Sequence, residues 1–377
     1  LHIRFHKHIF SVYQTFNQMR YICLLIVSFT FLSGVSQERK TAVSIKEDQF
    51  YINGKLTYEG RYWNGHKIEG LLFNSRMVQG IFDDENPETV DRFKYPDTGE
   101  WDPKRNTEEF VAAMKSWRDH GMLAFTINLQ GGSPMGYGNK GWRNSAFDEK
   151  GKLKNAYMRR LQKILDEADQ LGMVVILGYF YFGQDEYFED EEAIRKAASE
   201  ATEWILKKNY WNVIVEVANE SDNSGYQHDI IKADRIDELM RHIKGTQYFK
   251  RRLYVGTSFN GNSLPTPNVV RESDFILIHG NGVDDPNRIT EMVEQTREIE
   301  GYRTIPILFN EDDHYDFDKE SNNMVGAIKA YASWGFFDFR REGEDFNEGF
   351  QSVPVDWKIS SDRKKAFFEK VKEVTGL

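Results

Sequence analysis

Residues 155–180 read NAYMRRLQKILDEADQLGMVVILGYF. Asn155–Leu171 has the apolar periodicity of a helix. Gly172 follows, as a glycine does past a helix C-terminus. Met173–Phe180 is then a nearly continuous apolar run, the pattern of a strand buried on both faces. The same unit recurs along the chain. Strands are expected at Ile68–Phe73, Leu123–Leu129, Met173–Phe180, Val213–Val217, Leu253–Thr257, Phe275–Ile278, Ile305–Phe309 and Gly335–Phe339. Helices are expected at Thr107–His120, Asn155–Leu171, Glu191–Lys208, Ile230–Lys244, Pro286–Glu298, Ser321–Trp334 and Ser361–Val374. Eight strands with helices between them predict a single (β/α)8 TIM barrel. Ahead of it, Gln49–Tyr58 reads as a β-hairpin turning at Asn53-Gly54, which would cap the barrel. A doubly wound sheet is the alternative. It would need a G-x-G-x-x-G after its first strand, and the match at Gly136–Gly141 lies in a loop and opens no helix.

The chain has 377 residues and a net charge of −10. That balance opposes sequence-independent nucleic-acid binding, which needs a basic face. The first 36 residues read as a leader that starts at Met19. Arg20 supplies the positive region, Tyr21–Leu32 the apolar core, and Ser33–Ser36 the small residues before cleavage near Ser36-Gln37. The apolar stretch is too short to span a bilayer, so no stable membrane insertion is expected. Its removal takes the only cysteine, Cys23, and three basic residues. The reading is an exported protein, secreted or periplasmic, with one domain over 37–377.

Two glutamates carry the chemistry. Glu220 closes Val213-Ile-Val-Glu-Val-Ala-Asn-Glu220, and Glu311 closes Ile305-Pro-Ile-Leu-Phe-Asn-Glu311. Each ends a strand that is otherwise apolar, where an unpaired charge is costly. Strands four and seven lie across a barrel from each other, so their end residues can face one another. Two facing carboxylates, one protonated and one ionised, are the equipment of glycoside hydrolysis. Glu216, inside strand four, reads instead as a hydrogen-bonded interior carboxylate. Insertions at 77–106 and 130–154 fall on the C-terminal side of the strands, where barrel sites are built.

On Asn219-Glu220 and Glu311, 91 positions apart with two strands between, the chain resembles the clan-A glycoside hydrolases, the cellulase- and mannanase-like retaining barrels. The resemblance implies Glu220 as acid/base and Glu311 as nucleophile. It implies substrate contacts from Asn219, Arg76, Asn128, Tyr179, Tyr181, His279 and Trp334, with Arg76 pairing with Glu311 to keep it ionised, and His279 bonding Glu311 or a sugar hydroxyl. Two departures stand out. Ser221 follows the acid/base where many members have Pro, and Trp334 precedes strand eight rather than leaving it. The expected partner is a poly- or oligosaccharide. Arg76, Lys140, Arg143, Arg340 and Arg341 on the same face suit an anionic one. No metal or cofactor is expected: Asp312-Asp313-His314 are adjacent and cannot converge easily on one ion, and there is no phosphate-binding loop, H-E-x-x-H or G-x-S-x-G. The competing reading is a catalytically silent barrel that binds glycans.

Overall fold

Eight parallel strands form the interior wall: β1 Asn74–Arg76, β2 Ala124–Asn128, β3 Val174–Phe180, β4 Val213–Ala218, β5 Tyr254–Gly256, β6 Ile276–His279, β7 Ile307–Glu311 and β8 Gly335–Phe336. The computed structural model describes residues 38–137 and 141–377. The leader read at 1–36, with Cys23, lies outside them, as does Lys140. Strands β5-β4-β3-β2-β1-β8 make one continuous ladder, and β6 pairs with β7. Ser333 joins β7 to the start of β8 through Phe309 N–H to its carbonyl (2.9 Å) and its own N–H to Ile307 (3.0 Å). Asp274 N–H to the Val255 carbonyl (2.9 Å) links β5 to β6 and closes the ring.

Among the described residues, eight α-helices pack outside: α1 Pro103–Asp119, α2 Asn155–Leu171, α3 Glu191–Lys207, α4 Ile236–Gly245, α5 Pro267–Glu272, α6 Pro286–Glu298, α7 Asn323–Lys329 and α8 Asp362–Thr375. The period of two along each strand sorts its side chains. On β3, Val174 and Ile176 join the inner core with Ile214, Leu277 and Leu308. Val175 and Leu177 face the helices and join the outer core with Leu161, Ile164 and Ile194. Asp102 caps α1 by accepting from the Lys104 and Arg105 amides, with Pro103 in the first turn. Gly172 closes α2 at φ 72°.

Val43–Lys46, Gln49–Ile52 and Lys55–Leu56 form a three-stranded antiparallel cap. Asn53 and Gly54 take the positive φ (54° and 77°) that the tight turn needs. Phe50 from this cap enters the inner core and meets Phe275 edge-on at 6.5 Å. The N-terminal end of the barrel is thereby plugged.

Several sequence expectations shift. The run Ile68–Phe73 is buried but is not the first strand, which starts at Asn74. Gly70 turns at φ 85°, and its carbonyl accepts from Phe50 N–H, so the run serves the cap instead. The expected helix Ser321–Trp334 is only Asn323–Lys329, because Tyr331 turns back at φ 56° and Ser333 pairs with β7. The expected helix at Ile230 begins at Ile236, after Ala233 N–H bonds the Ser221 carbonyl. Helix α5, only six residues long, was too short for a periodicity to register.

The chain before the cap is held by a buried carboxylate. Asp169 on α2 accepts from the Lys40 and Thr41 amides at 3.0 and 2.9 Å. An Asp169→Ala variant strands both donors. It is expected to lose about 2–3 kcal/mol of stability in denaturant unfolding. Unchanged stability would contradict this role.

Candidate active site

Arg76 ends β1 and is 1% exposed. A buried guanidinium requires partners, and the barrel supplies them from across its lumen. Its Nη1 lies 3.3 Å from Glu216 Oε2 on β4. Its Nη2 donates to Asn219 Oδ1 at 2.6 Å. Its Nε lies 2.7 Å from Glu311 Oε2 on β7, an ion pair whose angle is not that of an aligned hydrogen bond. Glu216 also accepts from Ser258 Oγ (2.7 Å) and Asn310 Nδ2 (3.1 Å). The interior carboxylate is thus bound on every side, as its place within a strand implied.

Glu220 follows β4 with φ 53°, a left-handed conformation uncommon for a side chain of this kind. Its amide donates to Ser258 Oγ at 2.9 Å. Its Oε1 lies 3.2 Å from His279 Nδ1, and its Oε2 accepts from Asn223 Nδ2 at 3.2 Å. His279 ends β6, where the pairing with β7 shifts register by one residue, bringing it opposite Glu311. One oxygen of Glu220, one of Glu311 and a ring nitrogen of His279 all lie within 4.8 Å of one another.

The titrations follow from this crowding. Burial opposes a charge on His279, but Glu311 and Glu220 outweigh it, so the imidazole is raised above its ordinary value. Burial pushes Glu311 up; Arg76 and His279 pull against it, Glu220 adds to it, and the net direction is up. The pairing of Arg76 with Glu311 is therefore present, but it does not leave Glu311 below its ordinary value. Burial also opposes the charge of Glu220, yet the hydrogen bond and charge of His279, with help from Arg76 and Asn223, hold it low.

The two carboxylates open into a cavity of about 420 Å3, whose wall includes Arg76, Tyr137, Tyr181, Asn281 and Phe337. Tyr137 and Asn281 carry a contact that no sequence pattern announced. Asn281 Nδ2 donates both to Glu311 Oε1 and to the Tyr137 hydroxyl, each at 2.7 Å. That hydroxyl donates to Asp313 Oδ2 at 3.1 Å. Tyr137, 56% exposed, thereby crosses the mouth from the 130–154 insertion, with its ring 4.9 Å from that of Phe339. A second cavity, about 380 Å3, shares Ser133, Tyr137, Tyr181 and Phe182 with the first and continues past Trp142 and Tyr187. Tyr181 and Phe182 stack at 4.2 Å along the shared wall.

Five expected contacts fall elsewhere. His279 is fully buried and meets the two carboxylates rather than the cavity. Tyr179 has the outward parity of Val175 and Leu177, and its hydroxyl meets Thr202 on α3 at 3.1 Å. Trp334 is buried against Phe317 and Phe367, and its indole N–H donates to Asp312 at 2.9 Å. Asn128 is buried in the lumen beside Gly178 and does not line the cavity. Asn219 lies beneath the cavity, bonded to Arg76. The cations proposed for an anionic glycan are engaged as well. Arg143 sits 3.5 Å from Glu85 and over the Tyr187 ring. Arg340 donates to the Ser352 carbonyl at 3.1 Å. Arg341 lies over Tyr315 and Phe339, outside the cavity wall.

Among the described residues, two trios have the donors for a cation. In the first, Glu220, His279 and Glu311, the Arg76 charge already lies against Glu311 and His279 Nδ1 faces Glu220. In the second, Asp312, Asp313 and His314, the imidazole already meets Asp312 at 2.9 Å through Nδ1 and, outside the trio, Asp284 at 3.2 Å through Nε2. The Asp312 hydrogen bond outweighs burial and raises His314 to about 9.

The sequence matches no known family model and no curated protein. Solved structures do match. A glycoside hydrolase family 5 enzyme from Prevotella bryantii superimposes with a TM-score of 0.53 at 12% identity, over 81% of this chain and 96% of that one. The fold is that of the family 5 glycoside hydrolases. A Bacteroides vulgatus protein proposed to be a glycoside hydrolase gives 0.55 at 12% identity, over 88% of this chain and 60% of that one. A family 5 cellulase affiliated with the Bacteroidetes gives 0.50 at 12% identity, over 81% and 91%. Among the described residues, no helix is long and apolar enough to cross a membrane.

Replacing Arg76 by Met leaves Glu216 and Glu311 buried without their cation. The expected cost is about 3–5 kcal/mol in denaturant unfolding. A variant as stable as the parent would show that the guanidinium does not balance them.

Proposed function

We propose that the chain is a retaining glycoside hydrolase acting on a neutral poly- or oligosaccharide. The observation that carries this reading is the approach of Glu220 and Glu311 within 4.8 Å at the mouth of the barrel. That spacing suits a carboxylate that attacks carbon directly. An inverting pair stands ~6.5–9.5 Å apart to admit a water. Glu311 forms a bond to the anomeric carbon as the bond to the leaving oxygen breaks, and Glu220 gives that oxygen its proton. Glu220 then takes a proton from water, whose oxygen displaces Glu311.

His279 Nδ1 lies 3.2 Å from Glu220 Oε1, placed to pass Glu220 the proton it delivers and to take that proton back once water has been deprotonated. Arg76 and Asn281 are placed to hold Glu311 as the anion when sugar replaces water. The aromatic wall from Tyr137 through Tyr181 to Trp142 suits the apolar faces of successive sugar rings. A neutral glycan is favoured because, among the described residues, the cation on the wall of the carboxylate cavity is Arg76, which is already paired. Export is part of the proposal and rests on the pattern at 19–36. The silent glycan-binding alternative has no observation in its favour, since both carboxylates face the cavity.

Glu220→Gln and Glu311→Gln are each expected to lower turnover on the best substrate by roughly 10²–10⁴-fold or more. Near-normal turnover in either would refute the roles. The pH profile tests His279. Rising pH through its raised value removes the shared proton, so activity falls on the alkaline side. His279→Gln is expected to move that limb to lower pH, and an unmoved limb would rule out the imidazole as the source.

A further inference from the structure

At the opposite end of the barrel, where β4 and β5 begin, a cavity of about 540 Å3 opens beside the cap. Its wall carries Lys250, Arg251 and Arg252 and, among the described residues, no carboxylate. On a chain of net charge −10 this is a local reversal. Arg252 is paired with Asp274 at 2.6 and 2.9 Å. Among the described residues, Arg251 has no ion-pair partner. Its guanidinium lies 4.2 Å over the Trp211 ring, and its buried Nη1 has no hydrogen-bond partner. Burial alone lowers it to about 10, with no anion to offset the cost.

The backbone beside it is strained. Tyr248 and Arg251 exchange both N–H to carbonyl bonds at 3.0 Å, closing a two-residue turn over Phe249 and Lys250. Both central residues have positive φ, 50° and 64°. Such turns favour Asn-Gly, and neither residue here suits the conformation. The turn leaves Phe249 88% exposed at the cavity edge, near Trp211 at 44%. Strained backbone, exposed aromatics and an unpartnered buried donor coincide at one place, and each alone asks for an explanation.

We propose that this cavity is a second binding site, separate from the carboxylate pair, for an acidic saccharide. A carboxylate or sulfate oxygen pairs with the Arg251 guanidinium where that side chain lines the cavity, with Lys250 adding charge, and the sugar ring packs on Phe249. Charge complementarity selects the anion, and the aromatic edge selects a ring over a bare ion. Occupancy leaves turnover at the far end of the barrel unaffected.

Titration calorimetry on the full chain with four probes tests this: a hexuronate tetramer, a sulfated hexose tetramer, a neutral hexose tetramer and inorganic sulfate. At least one acidic tetramer is expected to bind roughly tenfold or more tighter than the neutral tetramer and than sulfate. Whichever acid binds identifies the source of the oxyanion. Arg251→Gln is expected to weaken that binding roughly tenfold. Phe249→Ala, a surface change that leaves folding intact, is expected to weaken the tetramer but not sulfate. Both variants keep parental turnover, and Glu311→Gln keeps parental binding, so failure here is separable from failure of the hydrolase reading. Equal affinity for acidic and neutral tetramers, sulfate binding as tightly as the tetramer, or parental affinity in Phe249→Ala would each overturn the proposal.

Discussion

A single buried guanidinium organises this barrel. Arg76 can stay in the lumen only if anions surround it, and the anions come from β4 and β7, which are far apart in sequence. The barrel wall fixes where those strands end, and Arg76 fixes how their acids stand. Breaking a buried pair costs several kcal/mol because the remaining charge is stranded. Glu216 and Glu311 therefore hold Arg76 as much as it holds them. Glu220, one turn of chain further out, is left to face the cavity with His279.

The arrangement divides the lumen by chemistry. Toward the cap it is hydrocarbon, from Phe50 and Leu72 to Ile176 and Leu308. Toward the mouth it becomes amide, carboxylate and guanidinium. The polar end is dense enough that the titrating groups cannot change charge independently. Burial opposes charge on all three of His279, Glu220 and Glu311; His279 and Arg76 favour the charge of both carboxylates, and the carboxylates favour that of His279. Tyr137 and Asn281 extend this network to the surface, so the wall that would touch a sugar is tied to Glu311.

Much of the barrel was legible because its strands are buried on both faces. Met173–Phe180 and Ile305–Glu311 could hardly be anything else. The first strand was misplaced because Ile68–Phe73 is equally apolar, and its burial serves the cap rather than the ladder. The positions of the two glutamates followed from strand ends alone. Tyr179 was misread although its parity was visible: it shares a face with Val175 and Leu177, which look outward. Trp334 was misread because an apolar ring does not say which neighbour its N–H will find, and here that is Asp312. Tyr137 and Asn281 were beyond sequence reasoning. They meet from separate loops, and only the folded chain brings a phenol from the second insertion onto an amide after the sixth strand.

The central claim is that Glu311 lies close enough to Glu220 to attack carbon itself, with no water between. The most direct measurement is the anomeric configuration of the first-formed sugar, followed by proton NMR before mutarotation. Retention of the substrate's configuration is the predicted result. Inversion would contradict the account, because an inverting pair stands ~6.5–9.5 Å apart.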